Sequence, residues 1–359
     1  MIRIRRGKVI TVRVRRPGVT ELEVEVEGRR EVALNYDSLT GLAAPGDQVL
    51  LNTTAVHKQL GTGGVHFVMG NCSAGDLDAP ESGHIMKMRY TPAQVKVLAV
   101  EEPDSPHAGA MAAADSLDGL PVVAATLHSM LAPVLAGIHS AGGALKVVYI
   151  MTDGAALPLP LSRLVAELKA KGLLATTITC GHAFGGDLEA VNVYSGLLAA
   201  RAVAGADLAV TAMGPGIVGT GTRFGYTGLE QGEIVNAVHT LRGRPVAVPR
   251  ISFADPRERH RGLSHHTATA LGRVALAPCL VPLPQLDKDK DALIRQQAQE
   301  AGITARHRLI TVDGEPALEV MAALGIKPTT MGRGVDQDRE FFLAAGAAGI
   351  LAARLALDG

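Results

Sequence analysis

Apolar and polar positions alternate one for one through roughly the first seventy residues, and then the period lengthens. Leu22, Val24 and Val26 alternate with Glu21, Glu23, Glu25 and Glu27, which predicts a strand with one apolar and one acidic face. Val12 and Val14 alternate with Arg13 and Arg15 in the strand before it, and Pro17-Gly18 supplies the turn. Asn35-Tyr36-Asp37 and Pro45-Gly46-Asp47 mark further turns, with strands expected at Gln48 to Asn52 and near Val65 to Met69. Five or six short strands in this span fit a small barrel of the SH3-like or OB-like kind.

From about Val95 short β-branched runs alternate with Ala/Leu-rich helical patterns, the signature of βαβ units. Strands are expected at Val95–Val100, Lys146–Thr152, Leu174–Thr179, Asp207–Ala212 and Pro245–Ile251, with weaker ones at Cys279–Val281 and Arg308–Val312. Helices are expected near Leu161–Lys171, Leu188–Val203, Leu229–Thr240, Lys290–Ala301, Pro316–Leu324 and Phe341–Leu357. The fold class that follows is α/β: a small N-terminal β-barrel with its connector in residues 1–94, then a mainly parallel, Rossmann-like three-layer α/β domain in 95–359.

Composition narrows the function classes. Lys+Arg and Asp+Glu both number 35 in 359 residues, so overall charge draws the chain neither to nucleic acid nor to an anionic membrane. The basic first strand (Arg3, Arg5, Arg6, Lys8, Arg13, Arg15, Arg16) could track a phosphate backbone, but residues 1–35 contain no aromatic platform. Cross-strand pairing with the glutamates is the favoured reading. Cys72, Cys180 and Cys279 are scattered and form no CxxC pair, which suits a reducing cytoplasm rather than a disulfide framework or zinc cluster. The basic N-terminus lacks the apolar run of a signal peptide, and the apolar stretch Leu120–Ile138, broken by Pro121, His128 and Pro133, reads as a buried helix rather than a membrane span.

Open parallel sheets bind ligands beyond the carboxyl ends of their strands, and four expected strands deliver polar or glycine-rich loops to that edge. These are Asp153-Gly154; Gly181-His182 with Gly185-Gly186-Asp187; Gly214-Pro215-Gly216-Ile217-Val218-Gly219-Thr220-Gly221; and Ser252 to His266. The third loop matches GxGxxG formally, yet turn-like sequence runs on to Gly228, whereas a dinucleotide fold needs its third glycine in the opening helix. As an anion cradle it would use Gly214, Gly216, Gly219 and Gly221, with Thr220, Thr222 and Arg223 as donors. The fourth loop gathers Arg250, Arg257, Arg259 and Arg261 with His260, His265 and His266, an electropositive setting suited to phosphate or carboxylate; its plain alternative is a solvated, ion-paired surface. Ser264 is placed to cap a helix starting at His265. Adjacent helical side chains diverge by about 100°, so one of His265 and His266 is expected to point elsewhere. His182, Asp187, His265, His266 and Asp153 are metal-ligand types but form no HxxxH or HxH pair, so no metal site is assigned.

Gly46-Asp47-Gln48-Val49-Leu50-Leu51-Asn52-Thr53-Thr54-Ala55-Val56, Gly61-Thr62-Gly63-Gly64-Val65-His66-Phe67-Val68, Gly83-His84-Ile85-Met86-Lys87 and Gly262-Leu263-Ser264-His265-His266-Thr267 resemble an uncharacterised bacterial family, domain-of-unknown-function family 3866. The resemblance runs over nearly the whole chain and implies no activity, substrate or catalytic residue. From the residues alone, the leading expectation is an enzyme acting on an anionic small molecule. Its anion is held by the Gly214–Gly221 loop and the arginines of 250–261, with His265 or His266 and Asp153 or His182 transferring protons. The competing class is a non-catalytic metabolite-binding or assembly protein, and a nucleic-acid-associated factor rests only on the basic first strands. The cofactor is unknown. Self-association is an expectation drawn from the apolar circumference of Phe341–Leu357.

Overall fold

The computed structural model describes residues 1–61 and 64–358; Thr62 and Gly63 of the glycine string lie outside the described residues. The chain divides into two compact units, residues 1–98 and 99–359.

In the first unit β1 (Ile4–Arg16), β2 (Val19–Val26), β3 (Arg29–Tyr36), β4 (Gln48–Asn52) and β5 (Val65–Asn71) close into a barrel in the order β1-β2-β3-β5-β4, with β4 returning to β1. The alternation sets the register: Val9 lies opposite Val24 and Val12 opposite Leu22, and Leu22, Val24, Val26, Ala33, Val49, Leu51 and Val68 fill the interior. Glu21 and Glu27 pair with first-strand arginines, as expected, while Glu23 takes Arg30 of β3. Glu27 takes Arg3 at 2.8 Å and Arg5 at 2.5 Å, Glu21 takes Arg13 at 3.6 Å, and Glu23 takes Arg30 at 3.7 Å. β6 (Ile85–Lys87) and β7 (Val95–Val97) form a separate antiparallel pair. This corrects the strand expected at Val95–Val100: only Val95–Val97 is a strand, paired with β6, while Ala99 makes an isolated parallel bridge to Glu189.

The second unit is built on β8 (Pro121–Ala124), β9 (Val147–Thr152), β10 (Thr176–Thr179), β11 (Leu188–Glu189), β12 (Leu208–Met213), β13 (Arg244–Ala247), β16 (Leu280–Pro284) and β17 (Arg308–Val312); between β13 and β16 a long loop joins the short antiparallel strands β14 (Ile251–Ser252) and β15 (Gly262–Leu263) into a hairpin. The eight-stranded sheet is parallel throughout in the order β11-β10-β9-β12-β8-β13-β16-β17. β8 lies inside the stretch read as one buried helix; only its second half, Leu131–Ser140, is helical. A strand buried on both faces and a buried helix segment are alike in lacking polar positions, which is why periodicity misassigned it. Leu188–Glu189 is likewise the edge strand β11, and the helix after it starts at Val193 behind an Asn192–Ser195 capping box.

Successive residues of each strand feed opposite layers. Val123, Tyr149, Met151 and Val210 pack with the helices Leu131–Ser140, Glu315–Ala323 and Arg339–Leu357, while Val122, Val148, Ile150 and Ala209 pack with Val193–Ala202 and Glu230–Thr240. Arg339–Leu357 is long and apolar enough to cross a membrane by composition, yet every residue from Phe341 to Ala353 is buried within the unit. Its closeness to Leu131–Ser140 depends on glycine. A Cβ on Gly349 would overlap the Val134 carbonyl, and one on Gly137 would overlap the Gly346 carbonyl.

Candidate functional site

The hairpin β14–β15 and the short helix His265–Thr269 grow from the carboxyl end of β13, and they place the arginine- and histidine-rich segment at the sheet edge. Gly262 makes the entry possible: its φ is +70°, and a Cβ there would press on the Gln297 amide. That amide ties the segment down, accepting from Leu263 N–H at 2.7 Å and donating to the Arg261 carbonyl at 3.0 Å. Ser264 caps the helix as expected, its hydroxyl accepting from His266 N–H at 3.2 Å. After Thr269 the helix widens into a π turn, Ala270–Val274, a form that recurs at functional sites.

Three imidazoles converge here. His260, His265 and His266 each offer a ligating nitrogen, and all three nitrogens lie within 4.8 Å of one another. Ring centroids are 4.9 Å apart for His260–His265, 4.9 Å for His260–His266 and 4.4 Å for His265–His266. The expected divergence of His265 from His266 therefore does not separate them: His260, arriving from the loop, meets both. Sequence spacing pointed to no such cluster, because its third member lies five residues upstream across a turn. His260 Nδ1 meets Ser264 Oγ at 2.7 Å, Arg250 Nη1 donates to His266 Nδ1 at 3.2 Å, and His265 Nε2 is buried with no hydrogen-bond partner among the described residues. Tyr226, from the glycine-rich loop, stacks on His266 with centroids 3.8 Å apart and donates its hydroxyl to the His266 carbonyl at 2.6 Å.

Arginines surround the rings. Arg250 is buried, and its Nη2 lies 3.3 Å from Asp255; Arg257 grips the same carboxylate at 2.9 and 2.8 Å, and Arg333 reaches it at 3.5 Å. Asp338 accepts from Arg333 at 3.0 Å and from the Ser252 hydroxyl at 2.7 Å. Asp338 directly precedes the helix Arg339–Leu357, but its side chain makes no capping bond to it. Arg333 thereby joins the network. Hydrogen bonding from Arg257 holds Asp255 well below the usual carboxylate range, and desolvation lowers Arg250 to about 10. Desolvation first, and then the neighbouring arginines, push His260 down to about 3 and His266 to about 2, with His265 lowered for the same reasons.

Asp153 and His182 form a second group at the ends of β9 and β10. Asp153 accepts the His182 backbone N–H at 2.8 Å, and Gly181, with φ +64°, sits where a Cβ would strike that carboxylate. A cavity of about 270 Å³ opens there, lined by Thr152, Asp153, Cys180, Asn192, Glu230 and Glu233 among others. Glu230 was not singled out from the sequence. Burial, with Asp153 and Glu233 nearby, raises it to about 7 against a 2.7 Å hydrogen bond from Thr152 Oγ1. No motif marks it; the available signal was an acid in the first turn of the helix after β12. Asp187 serves β10, accepting from Lys169 at 2.6 Å and from Thr177 N–H at 2.8 Å.

The glycine loop keeps its polar groups to itself. Gly214 packs on Ala156 and Met151, Gly216 has φ +103°, and Gly219 bridges Tyr226. Thr220 and Thr222 bond each other at 2.8 Å, Gly225 N–H donates to Thr222, Gly221 is exposed, and Arg223 lines a separate small cavity with Arg273 and Glu300. The helix begins only at Glu230, the late start that the sequence set against a dinucleotide site.

Fold and site together define a barrel-bearing, doubly layered parallel α/β protein with a histidine–arginine cluster at the sheet's carboxyl edge. The chain belongs to the family described as protein of unknown function (DUF3866), whose model matches residues 32–349. Neither a curated protein nor a solved structure matches it.

Proposed function

We propose that the chain is an enzyme acting on an anionic small molecule, phosphorylated or carboxylated, bound beside His260, His265 and His266. The reading is carried by the arginines gathered around the three imidazoles: desolvation is the main cause of their lowered basicity, and Arg250 and Arg257 lower it further in all three. A field that opposes an imidazolium attracts a phosphate or carboxylate. Among the described residues the ion pairs of Arg250, Arg257 and Arg333 run to Asp255 and Asp338, three cations to two carboxylates.

His265, with its unpartnered nitrogen, is the group assigned to proton transfer. Glu230, raised to about 7, is the acid–base candidate of the separate cavity it lines with Asp153, and there it takes precedence over Asp153, which is occupied in holding the His182 backbone. A cytoplasmic setting belongs to the same reading and rests on three free cysteines, one of them exposed.

The test is a thermal-shift screen of the full chain against phosphorylated metabolites and organic acids. A ligand at about 100 times its Kd stabilises the fold by about 2.7 kcal/mol. The expected hit is lost in Arg257→Gln. A hit indifferent to that change moves the site elsewhere, and no stabilisation by any anion defeats the reading.

A further inference from the structure

We infer that His260, His265 and His266 form a site for a transition-metal ion of the zinc class, an inference that goes beyond the anion reading and replaces the proton-transfer role given there to His265, whose unpartnered nitrogen becomes a ligand. Three imidazole nitrogens within 4.8 Å of one another supply the ligand type and number that such ions take, leaving a position for water or substrate. The cluster is built rather than accidental. His260 and His266 are buried, and the rings crowd together at 4.4 to 4.9 Å between centroids with no carboxylate among them.

His260 Nδ1 rests on Ser264 Oγ at 2.7 Å, the kind of outer-shell contact that orients a ligating ring and leaves its other nitrogen for an ion. His265 Nε2 is buried without a partner among the described residues, a desolvation cost that a coordinate bond would remove. At His266 the lone pair is on Nδ1, where it accepts from Arg250, because a guanidinium can only donate. Metal capture at this ring exchanges one 3.2 Å hydrogen bond for a coordinate bond, and Arg250 keeps its carboxylate, Asp255, at 3.3 Å.

The experiment is titration of the full, chelator-treated chain with Co(II) and then Zn(II), followed by absorbance and metal analysis. One equivalent of Co(II) with visible d–d bands of tetrahedral strength, displaced by Zn(II), is expected. His265→Gln should weaken binding on the order of 100-fold or more, since it removes a direct ligand. His265→Cys should restore binding and add a thiolate-to-cobalt charge-transfer band. His265 is the partly exposed member of the three, which favours folding of both variants. A wild-type chain that takes up no stoichiometric metal, or a His265→Gln variant that binds as tightly, overturns the site. Stabilisation by inorganic phosphate in the metal-free chain, measured alongside, reports on the anion reading separately.

Discussion

Replacing Glu230 by Gln should make the protein more stable above neutral pH and leave it unchanged in acid. The carboxyl is buried at the first turn of Glu230–Thr240, accepts from Thr152 Oγ1 at 2.7 Å, and has Asp153 and Glu233 close by. Together these raise it from 4.5 to about 7. Each unit of such a rise corresponds to about 1.4 kcal/mol, so the folded state prefers the neutral carboxyl by about 3 kcal/mol. The sign follows from proton counting. Below pH 4.5 both states hold the proton and the group contributes nothing to the pH dependence. Between 4.5 and about 7 the unfolded chain ionises while the folded chain still holds its proton, so stability falls as pH rises; above 7 the loss is complete.

A glutamine keeps an oxygen to accept from Thr152 and has no charge to desolvate. Urea denaturation of wild type and Glu230→Gln at several pH values between 4 and 9 measures the difference. The variant's advantage should be near zero at the acid end and approach about 3 kcal/mol at pH 8. A difference that does not vary with pH, or a variant less stable at pH 8, would refute the assignment of a buried, elevated carboxyl.

Two further outcomes follow from packing and from the arginine network. Gly349→Ala should destabilise the chain by about 3 kcal/mol, near the upper end of ordinary overpacking, because the new methyl meets the Val134 backbone carbonyl rather than a side chain that could move; a shift in urea midpoint checks it. Asp255→Asn should cost about 3–5 kcal/mol by the same assay, since buried Arg250 then loses the carboxylate at 3.3 Å and Arg257 loses its bidentate partner; an unchanged midpoint would show that the network does not anchor the segment.

Much of the architecture was present in local pattern. The one-for-one alternation of Val and Leu with Glu and Arg determines a half-buried strand and its register, because a slip by one residue would turn Leu22 and Val24 outward. The βαβ rhythm likewise determined a parallel sheet and directed attention to its carboxyl edge, where the His265–His266 and Arg250–Arg257 segment does lie. Local pattern failed where burial removes contrast. Pro121–Ala124 runs through the middle of the sheet with both faces covered, so no polar position marks its period.

The chemistry of the site was decided by tertiary structure. His260 joins His265 and His266 only because the β14–β15 hairpin folds back on the start of a helix, and no spacing rule spans that turn. Arg333 and Asp338 reach the network from more than seventy residues away in sequence. Glu230 acquires its affinity for a proton from burial beside Asp153 and from Thr152, which another strand supplies. Residue types set which groups can titrate or ligate. Desolvation and the charges that folding brings within reach set where they titrate, and these depend on distances that exist only in the folded chain.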